Sequence, residues 1–224
     1  MALKKMHDIN YDLKPLSYFG QDRREMIDFV PIASKRVLEI GCGRGEFMGQ
    51  LRQKLQIYAI AIEPQHQSAE VARQHFNEVI EADVTAGLAQ LADERFDCVI
   101  LNDVLEHLAD PWQTVASIYP LLSGGGTVVA SIPNIRYFPV LRALALNGRW
   151  DYQDYGVLDR THLRFFTQAT IRELFEGAGF RVDRLEGINS LTPGWKLRIL
   201  FLAAGKRLAD TRYQQIACVA SLPS

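Results

Sequence analysis

The chain has 224 residues, enough for one domain with a small insertion, and sets 25 Lys and Arg against 26 Asp and Glu, a balance that leaves no broad basic field to hold a nucleic acid. A small-molecule partner is expected instead. The cysteines Cys42, Cys98 and Cys218 are scattered among apolar residues, as reduced thiols of a cytoplasmic protein would be, and neither an apolar leader nor ~18 uncharged apolar residues in a row appear, so no stable membrane insertion is expected.

In chain order, residues 1–35 form a lead-in to the apolar run RVLEI at 36–40. The helix-like GEFMGQLRQKL follows, then IYAIAIE at 57–63, PQHQSAEVARQHF, EVIEADV at 78–84, FDCVILND at 96–103, DPWQTVASIYPLL and GTVVASIPN at 126–134. The short runs are apolar throughout, as strands covered on both faces are, while the segments between them carry apolar residues every three to four positions. Residues 135–166 break this rhythm with an aromatic-rich stretch interrupted by Gly148 and Gly156, expected to be a cap inserted after the fifth strand. Thr167 is the expected N-cap of an amphipathic helix, TQATIRELFEGAG, that stops at Gly177 or Gly179. Strands FRVDRLEG at 180–187 and QQIACVASL at 214–222 complete the set, with TPGWKLRILFLAAGKRLAD at 192–210 expected to pack on the sheet as the helix before the last strand. The expected architecture is α/β: one domain, 1–224, with a Rossmann-like, seven-stranded, mostly parallel sheet and helices on both faces. Its parts are the lead-in, a core at 36–134, the cap at 135–166 and a C-terminal part at 167–224.

Between the first strand and its helix lies GCGRGEF, with glycines at 41, 43 and 45. A strand entering a glycine turn and then a helix offers main-chain N–H groups to a ligand. Dinucleotide sites place the third glycine one position later, where this chain has Glu46, and that acid suits a cationic ligand better than a pyrophosphate.

These residues resemble the first motif of the class I S-adenosylmethionine-dependent methyltransferases, a resemblance that spans about residues 18–134. It implies S-adenosylmethionine as cofactor, with the backbone of Gly41, Cys42, Gly43 and Gly45 against it. It places Glu63, followed by Pro64, at the ribose hydroxyls, Asp83 at the adenine amino group and Val84 beside the ring. Leu101, Asn102 and Asp103 would face the methionine part, Glu39 its ammonium, and Tyr18 and Arg23 would close over the cofactor. An NAD-dependent oxidoreductase and a non-catalytic cofactor-binding module are the alternatives.

Methyl transfer to a hydroxyl calls for a proton acceptor or a metal, because an alkyl hydroxyl is a poor nucleophile near neutral pH. DVLEH at 103–107 provides His107 as first choice of base, at the sheet edge where ligands bind in open α/β folds. The motif also resembles the metal motif of ubiquinone-type O-methyltransferases, which implies Asp103, Glu106, His107 and His162 as ligands of a divalent metal. The cap's LDRTHLRFFT is similar to a stretch in bacterial methyltransferases of glycan assembly. It is expected to bring His162, Arg160 and Arg164 to an acceptor walled by Tyr137, Trp150, Tyr152 and Tyr155, or else to hold Asp159 in ion pairs that fix the cap.

Overall fold

The computed structural model describes residues 23–223. Seven strands form one sheet in the order β3-β2-β1-β4-β5-β7-β6. They are β1 Arg36–Ile40, β2 Tyr58–Ile62, β3 Glu78–Ile80, β4 Phe96–Asn102, β5 Leu122–Pro133, β6 Arg181–Ser190 and β7 Tyr213–Ser221. Pairings from β3 to β5 are parallel, and β7 runs antiparallel to both β5 and β6. Successive side chains of a strand point to opposite faces. Leu38, Ile60, Val99 and Val128 therefore join one apolar layer, and Val37, Ala59, Cys98 and Val129 the other. Both layers lie under helices, which is why the strands read as unbroken apolar runs.

The helices are α1 Glu46–Lys54, α2 His66–Ala72, α3 Val84–Gln90, α4 Pro111–Ile118, α5 Phe138–Asn147, α6 Gln168–Gly177 and α7 Trp195–Ala204. As expected, Thr167 caps α6: its side chain accepts from Thr170 N, and the Thr170 hydroxyl accepts from Thr167 N. Three expectations change. The third strand stops at Ile80, because the Asp83 carboxylate accepts from Ala86 N at 2.9 Å and begins α3. The cap contains a regular helix, α5, ended by Gly148 in the left-handed conformation (φ 60°). Helix α7 exists, yet Trp195, Ile199 and Leu202 are 69%, 58% and 82% exposed, so it does not use that apolar surface to cover the sheet.

Candidate functional site

The parallel strands end around a cavity of about 500 Å³. After β1 the chain turns through Gly41 and Gly43 at φ 67° and 54°. Such values disfavour any side chain. A Cβ on Gly41 would lie 2.7 Å from Val104 Cγ2. Both glycines line the cavity. Gly45, also left-handed (φ 83°), is the N-cap of α1 and does not line it.

Glu63, beyond β2, is buried and receives two amides: Gly43 N donates to Oε2 and Gln65 N to Oε1, each at 2.9 Å. It thereby ties the glycine turn to the second strand. Burial pushes its carboxyl up to about 7, against the lowering effect of those amides. Glu39, inside β1, rises to about 8 through burial first and the charges of Glu63 and Glu46 after it. Its Oε2 has no hydrogen-bond partner, and neither do Nδ2 and Oδ1 of Asn102 at the end of β4. Unpartnered buried polar atoms are costly. Here they belong to residues that line the cavity, beside Pro64, Asp83 and Val84, so a ligand bearing an ammonium and hydroxyls fits the donor and acceptor set.

Asp103 follows in a left-handed conformation (φ 52°). Its carboxylate accepts from Ser131 Oγ at 3.0 Å and from Gln215 Nε2 at 2.6 and 2.8 Å, and forms an ion pair with Arg23. Asn189 donates to Gln215 Oε1 at 2.6 Å and extends the network to β6.

A 3-10 turn, Leu105–His107, carries Glu106 inward, 1% exposed, with neither carboxylate oxygen hydrogen-bonded. Burial, and then the charge of Asp103, hold this carboxyl well above its ordinary range. The cap docks on the same turn: Leu163 N and Arg164 N donate to Glu106 O at 2.8 and 3.0 Å. Asp159 shapes the docked segment by accepting from Thr161 N and Oγ1 at 2.9 and 2.7 Å. This places the rings of His107 and His162 edge to face, centroids 4.7 Å apart, with His162 Nε2 4.0 Å from Glu106 Oε1. His107 Nδ1 lies 3.2 Å from Thr161 O, and His162 Nδ1 3.1 Å from Val157 O. A carbonyl only accepts, so Nδ1 carries the hydrogen in each ring and Nε2 is the basic nitrogen when the ring is neutral. One ligand atom from each of Glu106, His107 and His162 falls within 4.8 Å of the others. This donor set suits a divalent cation. Asp103 is absent from the cluster because Arg23, Ser131 and Gln215 hold its carboxylate elsewhere, which corrects the four-residue set expected from the motif.

Among the expected cofactor residues, Arg23, Glu39, Gly41, Gly43, Glu63, Pro64, Asp83, Val84, Asn102 and Asp103 line the cavity. Leu101 and Cys42 do not; alternation along β4 turns Leu101 into one apolar layer, and Cys42 lies buried in the other. Tyr18 is outside the described residues. Of the residues expected at the acceptor, His162 and Tyr155 line the cavity, Tyr155 71% exposed. Arg160 pairs with Asp154, Arg164 donates to Ala109 O and lies over Trp112, and Tyr137 is the N-cap of α5. Trp150 packs on Phe165, and Tyr152 is exposed. The sequence reading missed Asn189, Gln214 and Gln215, all in the cavity wall. The pair Gln214–Gln215 opens the last apolar run, and only the antiparallel direction of β7 brings the start of that strand to the ligand edge.

The sequence profile of a family described as a methyltransferase domain matches residues 18–185. A ubiquinone biosynthesis O-methyltransferase of Azorhizobium caulinodans is 29% identical over 190 residues, which cover 80% of this chain and 72% of that protein. Another of the same description, from Aromatoleum aromaticum, is 33% identical over 199 residues, covering 85% of this chain and 84% of the relative. Among solved structures, a SAM-dependent methyltransferase from Archaeoglobus fulgidus superposes with TM-score 0.66 at 21% identity, over 92% of this chain and 96% of that one.

Proposed function

Since the chain belongs to the class I S-adenosylmethionine-dependent methyltransferases, we propose that it methylates a hydroxyl of a small-molecule acceptor and that His107 takes the hydroxyl proton. The observation that carries this is the 3.2 Å contact of His107 Nδ1 with Thr161 O, a carbonyl that only accepts, which leaves Nε2 as the basic nitrogen in a ring that lines the cavity. Bound S-adenosylmethionine supplies an electrophilic methyl group on a sulfonium. The chain's part is to align the acceptor oxygen with that carbon and keep water out. Glu63, already oriented by two amides, retains lone pairs for both ribose hydroxyls. Asp83 uses Oδ1 for its helix cap and keeps Oδ2 for the adenine edge. The unpartnered Glu39 Oε2 and Asn102 amide suit the ammonium and carboxylate of the methionine part. Tyr155 and Gln214, which also line the cavity, suit a phenolic ring or a sugar, where aromatic faces and amides recognise rings and hydroxyls.

The test is His107→Ala. Calorimetric titration with S-adenosylhomocysteine should give the wild-type affinity, while turnover on a panel of phenols and sugars falls about 10²- to 10⁴-fold. Undiminished turnover would remove His107 from the mechanism.

The clustering of Glu106, His107 and His162 favours a second reading, in which the three hold a divalent cation that acidifies the acceptor hydroxyl. His107 is then a ligand and not a base. Titration of the cofactor-free protein with Mg²⁺, Mn²⁺ and Zn²⁺ separates the two: a stoichiometric site lost in Glu106→Gln supports the cation, and no binding leaves His107 as the base.

A further inference from the structure

Helices α5 and α7 touch through Phe138 and Phe201, whose ring centroids are 5.7 Å apart. Apart from buried Phe201, both leave much of their apolar surface outside. No residue of α5 is buried, and Leu144 and Leu146 are 45% and 76% exposed, while α7 leaves Trp195, Ile199 and Leu202 outward. Singly exposed apolar residues are ordinary, but five on two contacting helices are a patch.

The charge around them is one-sided. Residues 134–149 and 192–209 together hold seven Lys and Arg and no Asp or Glu, leaving 18 cationic against 26 acidic residues for the rest of the chain. Arg136 and Arg149 are matched by Asp210 and Asp151. Arg142, Arg198, Lys206 and Arg207 are exposed with no acidic partner among the described residues.

We propose that α5 and α7 form a peripheral docking surface for an anionic membrane, with Leu146, Trp195, Ile199 and Leu202 entering the headgroup region and the unmatched cations meeting lipid phosphates. Exposed leucines with a tryptophan and a rim of Lys and Arg are the features that hold a helix in the interfacial plane. Each helix has 10 residues, about 15 Å, half of what spans a hydrocarbon core, and no helix among the described residues is long and apolar enough to cross. The helices therefore lie on the surface. A second copy of the chain is a poor occupant, because face-to-face pairing would set like charges together. The segments that lead into both helices come from the cavity wall: Pro133 lies five residues before α5 and Asn189 six before α7.

Flotation with phosphatidylcholine vesicles, with and without phosphatidylglycerol, tests this. The wild type should float with the mixed vesicles and scarcely with the neutral ones. Arg198→Glu with Lys206→Glu should lower the partition about tenfold or more, an effect that high salt reproduces. Leu146→Glu with Leu202→Glu should abolish it, and a blue shift of tryptophan emission on binding should vanish in Trp195→Phe. Far-ultraviolet circular dichroism confirms that each variant is folded, and all these positions are exposed. The proposal falls if the wild type ignores mixed vesicles, if both double variants bind unchanged, if it prefers RNA or DNA to vesicles, or if it is a dimer that Leu146→Glu with Leu202→Glu dissociates.

Discussion

Gln215 donates to both carboxylate oxygens of Asp103, accepts from Asn189, and is 7% exposed. Asp103 itself has a left-handed backbone, a conformation that persists only where surroundings hold it in place. Replacing Gln215 by Leu removes two hydrogen bonds from a carboxylate that is already largely desolvated, and leaves the Asn189 amide without that acceptor. A loss of about 1–3 kcal/mol is expected in urea unfolding, with a weaker hold on S-adenosylhomocysteine if, as proposed, the cavity that Asp103 lines takes it. An unchanged unfolding midpoint would mean that Arg23 and Ser131 suffice. Glu63, about twenty residues beyond the glycine turn, and Asp83, placed by the resemblance, do line the cavity. Gln215 was not legible in the sequence, since its place depends on a strand direction that leaves no mark in apolar patterning.

At the scale of elements, the glycine turn between β1 and α1 owes its shape to Gly41. Alanine there meets two obstacles: a left-handed φ, which costs about 1–2 kcal/mol, and a Cβ 2.7 Å from Val104 Cγ2 in a stiff, buried, β-branched side chain. Gly41→Ala should therefore destabilise by about 2 kcal/mol or more in urea and weaken S-adenosylhomocysteine binding. Gly124→Ala in β5, with nothing within 4 Å, should change neither. Equal effects at the two positions would remove the steric account of the turn. Strands β1, β2 and β4 could be read to within a residue or so because both faces are buried and the apolar run is the element. Helices α3 and α5 escaped notice for different reasons. Seven-residue α3 is set by one Asp83 cap, and α5 has a mostly apolar sequence with no residue buried, so its pattern carries no inside face to detect. The aromatics of residues 135–166 were expected to wall the acceptor, but Trp150 packs on Phe165 and Tyr152 faces solvent.

For the molecule as a whole, one cleft gathers three buried carboxyls, Glu39, Glu63 and Glu106, all raised, with Arg23 the one described cationic side chain on the cavity wall apart from imidazoles. A carboxyl whose pKa is higher in the folded chain binds its proton more tightly there than in the unfolded chain. Between the unfolded value of 4.5 and folded values of about 7 for Glu63 and about 8 for Glu39, the native state holds protons that the unfolded state has released. Stability must then decrease as pH rises through that window, opposite to the usual behaviour of ion-paired carboxylates. For Glu39 alone the loss is on the order of a few kcal/mol, since each pKa unit is worth about 1.4 kcal/mol. The cofactor-free protein should accordingly melt at progressively lower temperature from pH 5 to pH 8, and Glu39→Gln, neutral throughout, should flatten part of that slope. Saturating S-adenosylmethionine should flatten it as well, because its positive charge favours the ionised cleft that burial opposes. A melting temperature that climbs with pH over this range, or a slope identical in Glu39→Gln, would show that the cleft carboxylates are ionised without the cofactor and that its charge is not what they are arranged to receive.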